Sequence, residues 1–416
     1  MPRRLERLLV NRNVALLFVG QVVSQAGDSV YQIGLLWLCY LLTGSRSLTG
    51  LMASAAFLPY LLLALPGGVL ADRLPRRSIM IAADAGRLLL VAILPLLHSL
   101  GALSILALGL VTVGVESCAA LFYPARDALL PALVPRASLA HANALLQTSW
   151  QLAFLIGPTI AALLLPHTGL VHLFTIDALT FVVSLAAIAA IAVPRSPVPR
   201  AREATPWHDV LEGARFAWND RRMRTILLVT AADNLFLMGP AIVGMVLFVR
   251  DVLRLGPDQG AWISACYAGG AILGAPLMAR FSHRVPLGRL LLAGIVLDGL
   301  TFLPLFWVRS FAGTAGTIAF HSLFIPMITV SRTTLIQRSV PEHLQGRMFA
   351  LIQMAVIGMT ALSTFATGLV GEWVPTPSIF LAAALLAGAT AIPGFLSRAL
   401  RDDTPWPRGA TGGVEA

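Results

Sequence analysis

Four ionisable residues stand deep inside long apolar runs: Asp28, Glu116, Asp233 and His321. A charge at the centre of a bilayer costs at least about 2.5–3.5 kcal/mol, so such a group faces a water-filled cavity or a partner. A carboxyl or an imidazole in that position can take up and release a proton, or hold a polar group of a substrate. The competing reading for each is a buried, hydrogen-bonded side chain that only fixes helix packing. For His321 the packing reading has the edge. Asp84 and Arg87 stand three residues apart, which puts them on one helix face as a structural ion pair. Asp177 and Asp298 also fall in apolar runs and are read as structural.

A second group of charges closes an apolar run: Gly67-Gly68-Val-Leu-Ala-Asp72-Arg73-Leu-Pro-Arg76-Arg77, with Asp127 at the end of a later run. Arginines alone would serve as topology anchors. An Asp adds nothing to an anchor, so the segment carries more than topology.

Other chemistries are poorly served. There is no Ser–His–Asp set and no carboxylate pair suited to catalysis, so no enzyme is expected. His172 and Asp177 are matched to an acyltransferase spacing by chance. The eight histidines are scattered, with none paired at i, i+4, and no metal site or cofactor is expected. All 30 basic residues are Arg. Without Lys there is no P-loop, so the chain is not an ATP-driven motor of that type. Arg holds its proton at any ordinary pH, which leaves Asp, Glu or His to carry protons. Cys39, Cys118 and Cys266 read as small hydrophobes. The net charge of +10 is spread over short loops, which argues against nucleic acid.

The elements that must position these residues are membrane helices. The chain has 416 residues, 57% hydrophobic and only 12% charged, where a soluble domain is about a quarter charged. Each span needs roughly 20 apolar residues, and twelve segments qualify: 13–42, 48–71, 78–98, 101–125, 141–166, 169–193, 223–249, 258–280, 287–308, 311–337, 346–373 and 377–399. The basic N-terminus leads into a run too long for a signal peptide, so it reads as an uncleaved first span. With the N-terminus inside, 25 arginines fall on the cytoplasmic side and four outside (Arg46, Arg250, Arg254 and Arg309), with Arg87 inside a span. That asymmetry predicts a multi-pass plasma-membrane protein with both termini cytoplasmic.

The spans divide into a first bundle (1–193), a linker (194–222), a second bundle (223–399) and a tail (400–416) expected to be disordered. In the linker, apolar residues 207, 210, 211, 214 and 218 recur at helical spacing, which predicts a short amphipathic surface helix. Val134-Pro135 and Ala144-Leu145 return as Val340-Pro341 and Ala350-Leu351, 206 residues later. Six intervening spans is an even number, so the halves are parallel repeats.

The Gly68–Arg77 segment resembles the loop signature of the major facilitator superfamily, with Pro75 where Gly is usual. Within it, the chain is most similar to the drug-efflux, macrolide-efflux and enterobactin-exporter group. The likeness is carried by Gly20 to Asp28, Asp84-Ala-Gly-Arg87, Pro124 to Asp127, Ala142 to Leu145 and Gly157-Pro158. Ala161 and Ala162 replace two glycines of that group's antiporter signature. The second-half counterpart of the loop, Gly274 to Arg280, lacks the Asp.

The resemblance implies an all-α fold of twelve helices in two parallel six-helix bundles around a central cavity lined by spans 1, 4, 7 and 10. All four leading candidates lie on those spans. It implies that Gly68, Asp72, Arg73, Arg76 and Arg77 form the cytoplasmic gate, with Arg76 paired to Asp127. The expected activity is export of a small amphipathic or lipophilic molecule by alternating access, with proton antiport and a monomer in the bilayer. Aromatic residues such as Phe18, Trp37, Phe57, Tyr60, Trp150, Phe236, Trp262 and Phe324 are candidates for its lining. The alternatives are a lysophospholipid flippase, a metabolite importer, or a non-transporting receptor or enzyme.

Overall fold

The computed structural model describes residues 11–135, 138–192, 206–281, 285–397 and 400. They are almost wholly helical, with no strand among them. We number the membrane helices α1 (Arg12–Thr43), α2 (Arg46–Arg73), α3 (Arg76–Ser99), α4 (Ile105–Leu133), α5 (Leu139–Thr168) and α6 (Val171–Ala190). The second half holds α7 (Arg221–Val252), α8 (Pro257–Phe281), α9 (Leu287–Phe306), α10 (Phe311–Ser339), α11 (Glu342–Gly371) and α12 (Thr376–Leu396).

Eleven of these are long and apolar enough to cross a membrane. The exception is α1. Its 32 residues give ample length, but Gln21, Ser24, Gln25, Asp28 and Gln32 dilute its apolar character. It packs lengthwise on α5 and α6, so its polar side chains are covered by protein. The expected count of twelve therefore stands as eleven clear spans and one polar helix among them.

Local chemistry sets the helix ends. Asn11, Ser45, Ser104, Asp220 and Ser310 each accept a hydrogen bond from a first-turn amide, satisfying donors that have no partner within the helix. Gly44 ends α1 in the left-handed region at φ 63°. In α7, Pro240 has no amide to donate, and the backbone widens to π turns over Pro240–Gly244 and again over Phe248–Val252. In α10 the helix breaks at Leu323–Phe324, just before Ile325-Pro326.

The linker helix, Pro206–Asn219, lies against α11 and α7. Glu212 pairs with Arg347, and Ala217 is fully buried, whereas Leu211 and Trp218 are each 57% exposed. Of the apolar face expected from the spacing, Leu211 and Trp218 thus point away from the bundle. The tail beyond 400 and the whole of the 194–205 stretch lie outside the described residues.

The two halves meet mainly through α2 with α11 and α5 with α8. One apolar cluster joins them, in which Leu36, Trp37, Tyr40 and Ala53 of the first half pack with Leu247, Phe248 and Phe380 of the second. Near the same end, α2 and α11 cross backbone to backbone. A methyl added to Gly50 would lie 2.6 Å from the Thr364 carbonyl oxygen and 2.7 Å from Gly368 Cα. At the other end of the same helices, a methyl at Gly68 or Gly346 would meet nothing within 4 Å. The halves touch backbone to backbone at the Thr43 end, whereas these two glycines at the Asp72 end face open space.

Overpacking a tight contact costs about 1–3 kcal/mol, enough to shift a two-state equilibrium roughly tenfold. Gly50→Leu should therefore force α2 off α11. Spin labels at Leu48 and Val370, both exposed, should report a longer distance in the variant; an unchanged distribution would contradict the crossing.

Candidate functional site

The first half encloses a connected set of polar side chains reaching across α1, α3, α4 and α6. At its centre Arg87 of α3, only 4% exposed, donates from Nη2 to Asp28 Oδ1 of α1. Arg87 Nη1 also lies 3.8 Å from Asp84 Oδ1 one turn earlier, and its guanidinium sits 4.3 Å over the Phe181 ring of α6. Ser184 of α6 donates to Asp84 Oδ2 at 2.6 Å. A guanidinium suits this place because its fork serves two carboxylates while its flat face stacks on an aromatic ring.

Asp28 faces away from the lipid. Its side chain is 21% exposed, and the Tyr123 hydroxyl of α4 reaches its Oδ2 at 3.5 Å. Tyr123 stacks with Tyr60 of α2, centroids 6.4 Å apart, and carries Arg126 over its ring at 4.8 Å. Arg126 donates to Gln21 Oε1 at 2.9 Å. Gln25 and Ser149 extend the chain of polar groups to α5. Glu116 of α4 accepts from Gln32 Nε2 at 3.3 Å. Asp177 of α6 is fully buried, and its Oδ2 has no donor.

The loop charges are distributed differently from the expectation. Arg76 donates to the Ala128 carbonyl at 2.7 Å, while Asp127 takes Arg126, with Nε–Oδ1 at 2.9 Å. Arg77 caps the end of α6 through the Ile188 carbonyl at 3.0 Å and the Ala189 carbonyl. Both arginines thus donate to carbonyls within the first half, those of Arg77 at a helix C-terminus that leaves acceptors unpaired. Arg73 is exposed. The side chain of Asp72 lies outside the described residues.

In the second half, Asp233 of α7, Asp298 of α9 and His321 of α10 are all buried. His321 Nε2 lies 3.4 Å from Asp298 Oδ1. Asp233 shares its electrostatic environment with Arg332 of α10.

Polar groups also fasten the closed end. Arg46 Nη2 of α2 pairs with Asp251 Oδ2 of α7 at 2.8 Å, and the Tyr40 hydroxyl of α1 reaches both oxygens of Asp251 at 2.9 Å. Arg46 also donates to the Gly371 carbonyl of α11. Glu372 accepts from the Ser47 amide at 2.8 Å and the Ser45 hydroxyl at 3.1 Å. These bonds, led by the Ser47 amide, hold the Glu372 carboxyl below its ordinary range. Trp37, a candidate for the lining, is buried here against Gly260. The described hydrogen bonds that join the two bundles are all at this end.

Two bundles fastened to each other at one end, with ionisable groups buried among their helices, are the anatomy of a pathway. Residues 9–403 match the family described as transmembrane secretion effector. The chain belongs to this family of the major facilitator superfamily. It is a multi-pass membrane transporter and not an enzyme. Among its relatives is the multidrug efflux pump Tap of Mycobacterium tuberculosis, 27% identical over 404 residues, covering 94% of this chain and 95% of that protein. Macrolide efflux protein A of Streptococcus pyogenes is 25% identical over 348 residues, covering 80% and 83%.

Solved structures share the fold. A bacterial homologue of the iron transporter ferroportin, in an inward-facing state, aligns with TM-score 0.73 at 17% identity, over 92% of this chain and 98% of that one. The nucleoside transporter NupG aligns with TM-score 0.72 at 12% identity, over 92% and 98%.

Sequence spacing kept Asp28 and Arg87 in separate groups, and the fold joins them. Gln32, Tyr123 and Ser184 were missed, since nothing local distinguishes them from ordinary polar residues in a span. Removing one member of a buried ion pair costs about 3–5 kcal/mol, because the other charge is left unpaired. Arg87→Ala should therefore lower thermal stability in detergent by about that much. Adding Asp28→Asn to it should recover part of the loss. Additive losses in a double-mutant cycle would contradict the pairing.

Proposed function

We propose that this transporter is a proton-driven exporter of small amphipathic or lipophilic molecules in a bacterial cytoplasmic membrane, working as a single chain. The observation that carries the reading is the charge balance of the first-half network. Asp28, Asp84, Glu116 and Asp177 lie within electrostatic reach of one buried guanidinium, Arg87. Buried charges must be paired, and one cation cannot pair four carboxyls. Protons are what can neutralise the remainder. Asp28 and Glu116, on α1 and α4, are the members only partly buried and are our candidates for the coupling groups.

Arginine placement puts the Thr43 end outside and the Asp72 end in the cytoplasm. In that orientation the Arg46–Asp251–Tyr40 contacts close the outer side, and the crevice receives substrate from within. Asp72, Arg73, Arg76 and Arg77 with Gly68 then serve as the gate that closes when the outer side opens. The names of the drug-efflux relatives support export, and a chain only 12% charged supports an apolar cargo. Alternating access needs the two closures to exclude each other, and the parallel repeats give the bundles matching surfaces at both ends.

The test is erythromycin and ethidium accumulation in a sensitive host. Asp28→Asn and Glu116→Gln, expressed to the wild-type level in the membrane, should each lower proton-driven export about tenfold or more. Unchanged export in both would remove the coupling role.

A further inference from the structure

The first-half network leaves the buried groups of the second half unexplained. Asp298 is 2% exposed, and its Oδ1 has no hydrogen-bond donor. Across the helix interface His321 Nε2 lies 3.4 Å from it. The other ring nitrogen, Nδ1, lies 2.8 Å from Thr301 Oγ1. That hydroxyl already commits its one proton to the Leu297 carbonyl at 2.6 Å. Its oxygen is left to accept, so the hydrogen of a neutral His321 belongs on Nδ1. Nε2 then presents a lone pair to a carboxylate oxygen that also lacks a hydrogen. Two buried acceptors face each other, and one proton between them satisfies both.

We infer that Asp298 and His321 form a second proton-holding site, in the second half, separate from the Asp28–Arg87 network. The proton bridges Asp298 Oδ1 and His321 Nε2, neutralising the carboxylate in one arrangement and completing an ion pair in the other. The surroundings fit such a site. Asp233 of α7 feels Asp298 electrostatically, its own Oδ1 also lacks a donor, and it is balanced by Arg332 of α10. Tyr267 of α8 is the remaining ionisable neighbour; α12, packed on α9, carries none within Thr376–Leu396. Asp233 follows Asp28, and His321 follows Glu116, by 205 residues, one short of the 206-residue repeat, so ionisable groups stand at nearly corresponding positions in both halves.

The site also abuts the contact between the halves. The His321 ring stands edge-to-face on Phe302 at 4.3 Å and lies 6.0 Å from the Tyr267 ring. Tyr267 in turn meets Phe154 of α5 at 5.8 Å. A positive charge on His321 interacts with these aromatic faces, so its gain or loss is felt where α8 packs on α5.

The inference rests on neither the direction of transport nor the role of Glu116, and its test needs no substrate. Infrared difference spectra of the full-length protein in lipid, recorded across a pH series, follow the C=O stretch of protonated carboxyls. Wild type should show a titrating band that disappears in Asp298→Asn and persists in Glu116→Gln. In His321→Gln the same band should titrate with its midpoint moved by about one pH unit or more, a tenfold change in proton affinity. If Asp298→Asn does not yield folded protein, the midpoint in His321→Gln decides alone. A band unchanged in both Asp298→Asn and His321→Gln, or an unmoved midpoint in His321→Gln, would overturn the site.

Discussion

A carboxylate in a bilayer has no water to stabilise it and must find protein partners or a proton. The architecture answers to that constraint at every level. α1 is too polar to qualify as an ordinary span, and it is packed along α5 and α6, where Gln21, Gln25 and Asp28 meet other helices. Arg87 occupies the one buried place from which a single fork reaches both Asp28 and Asp84. Replacing it with lysine would keep the charge and lose the geometry, because an ammonium is a point donor that cannot stack on Phe181.

The two ends of the bundle solve a different problem. A transporter must close either end without a permanent seal, so each closure has to be modest. At the Thr43 end, closure combines an apolar cluster, a glycine crossing and an ion pair about one quarter exposed. Partly exposed ion pairs are weak, typically about 0–1 kcal/mol. The glycines contribute shape instead, letting α2 and α11 touch along the backbone. The π turns of α7 belong to the same device, since the second of them carries Asp251. Such turns loosen a helix where it has to move.

Much of this was legible in the sequence. Apolar length gives most spans to within a few residues, as where the run 78–98 becomes Arg76–Ser99, while the run 101–125 continues to Leu133. The linker helix follows from a 3.6-residue spacing, and its exposed Leu211 and Trp218 belong to the stripe that spacing defines. What the sequence hides is long-range pairing. Nothing ties Arg87 to Asp28 until α3 is laid beside α1, and i, i+3 spacing offers the nearer but longer contact with Asp84. Arg76 likewise has a carboxylate one residue away from its partner in Asp127, yet it donates to the Ala128 carbonyl and Arg126 takes Asp127. Local rules recover helices because helices are local. They recover a charge network only where its members share a helix face.

The account turns on whether protons and cargo are exchanged through one molecule. The direct measurement is proton movement in proteoliposomes of the purified chain, read with an enclosed pH dye while erythromycin is added on the crevice side. Entry of the drug should drive protons out at a rate that rises with drug concentration, and Glu116→Gln should abolish that flux. Drug uptake at the wild-type rate with no accompanying proton movement would contradict the account.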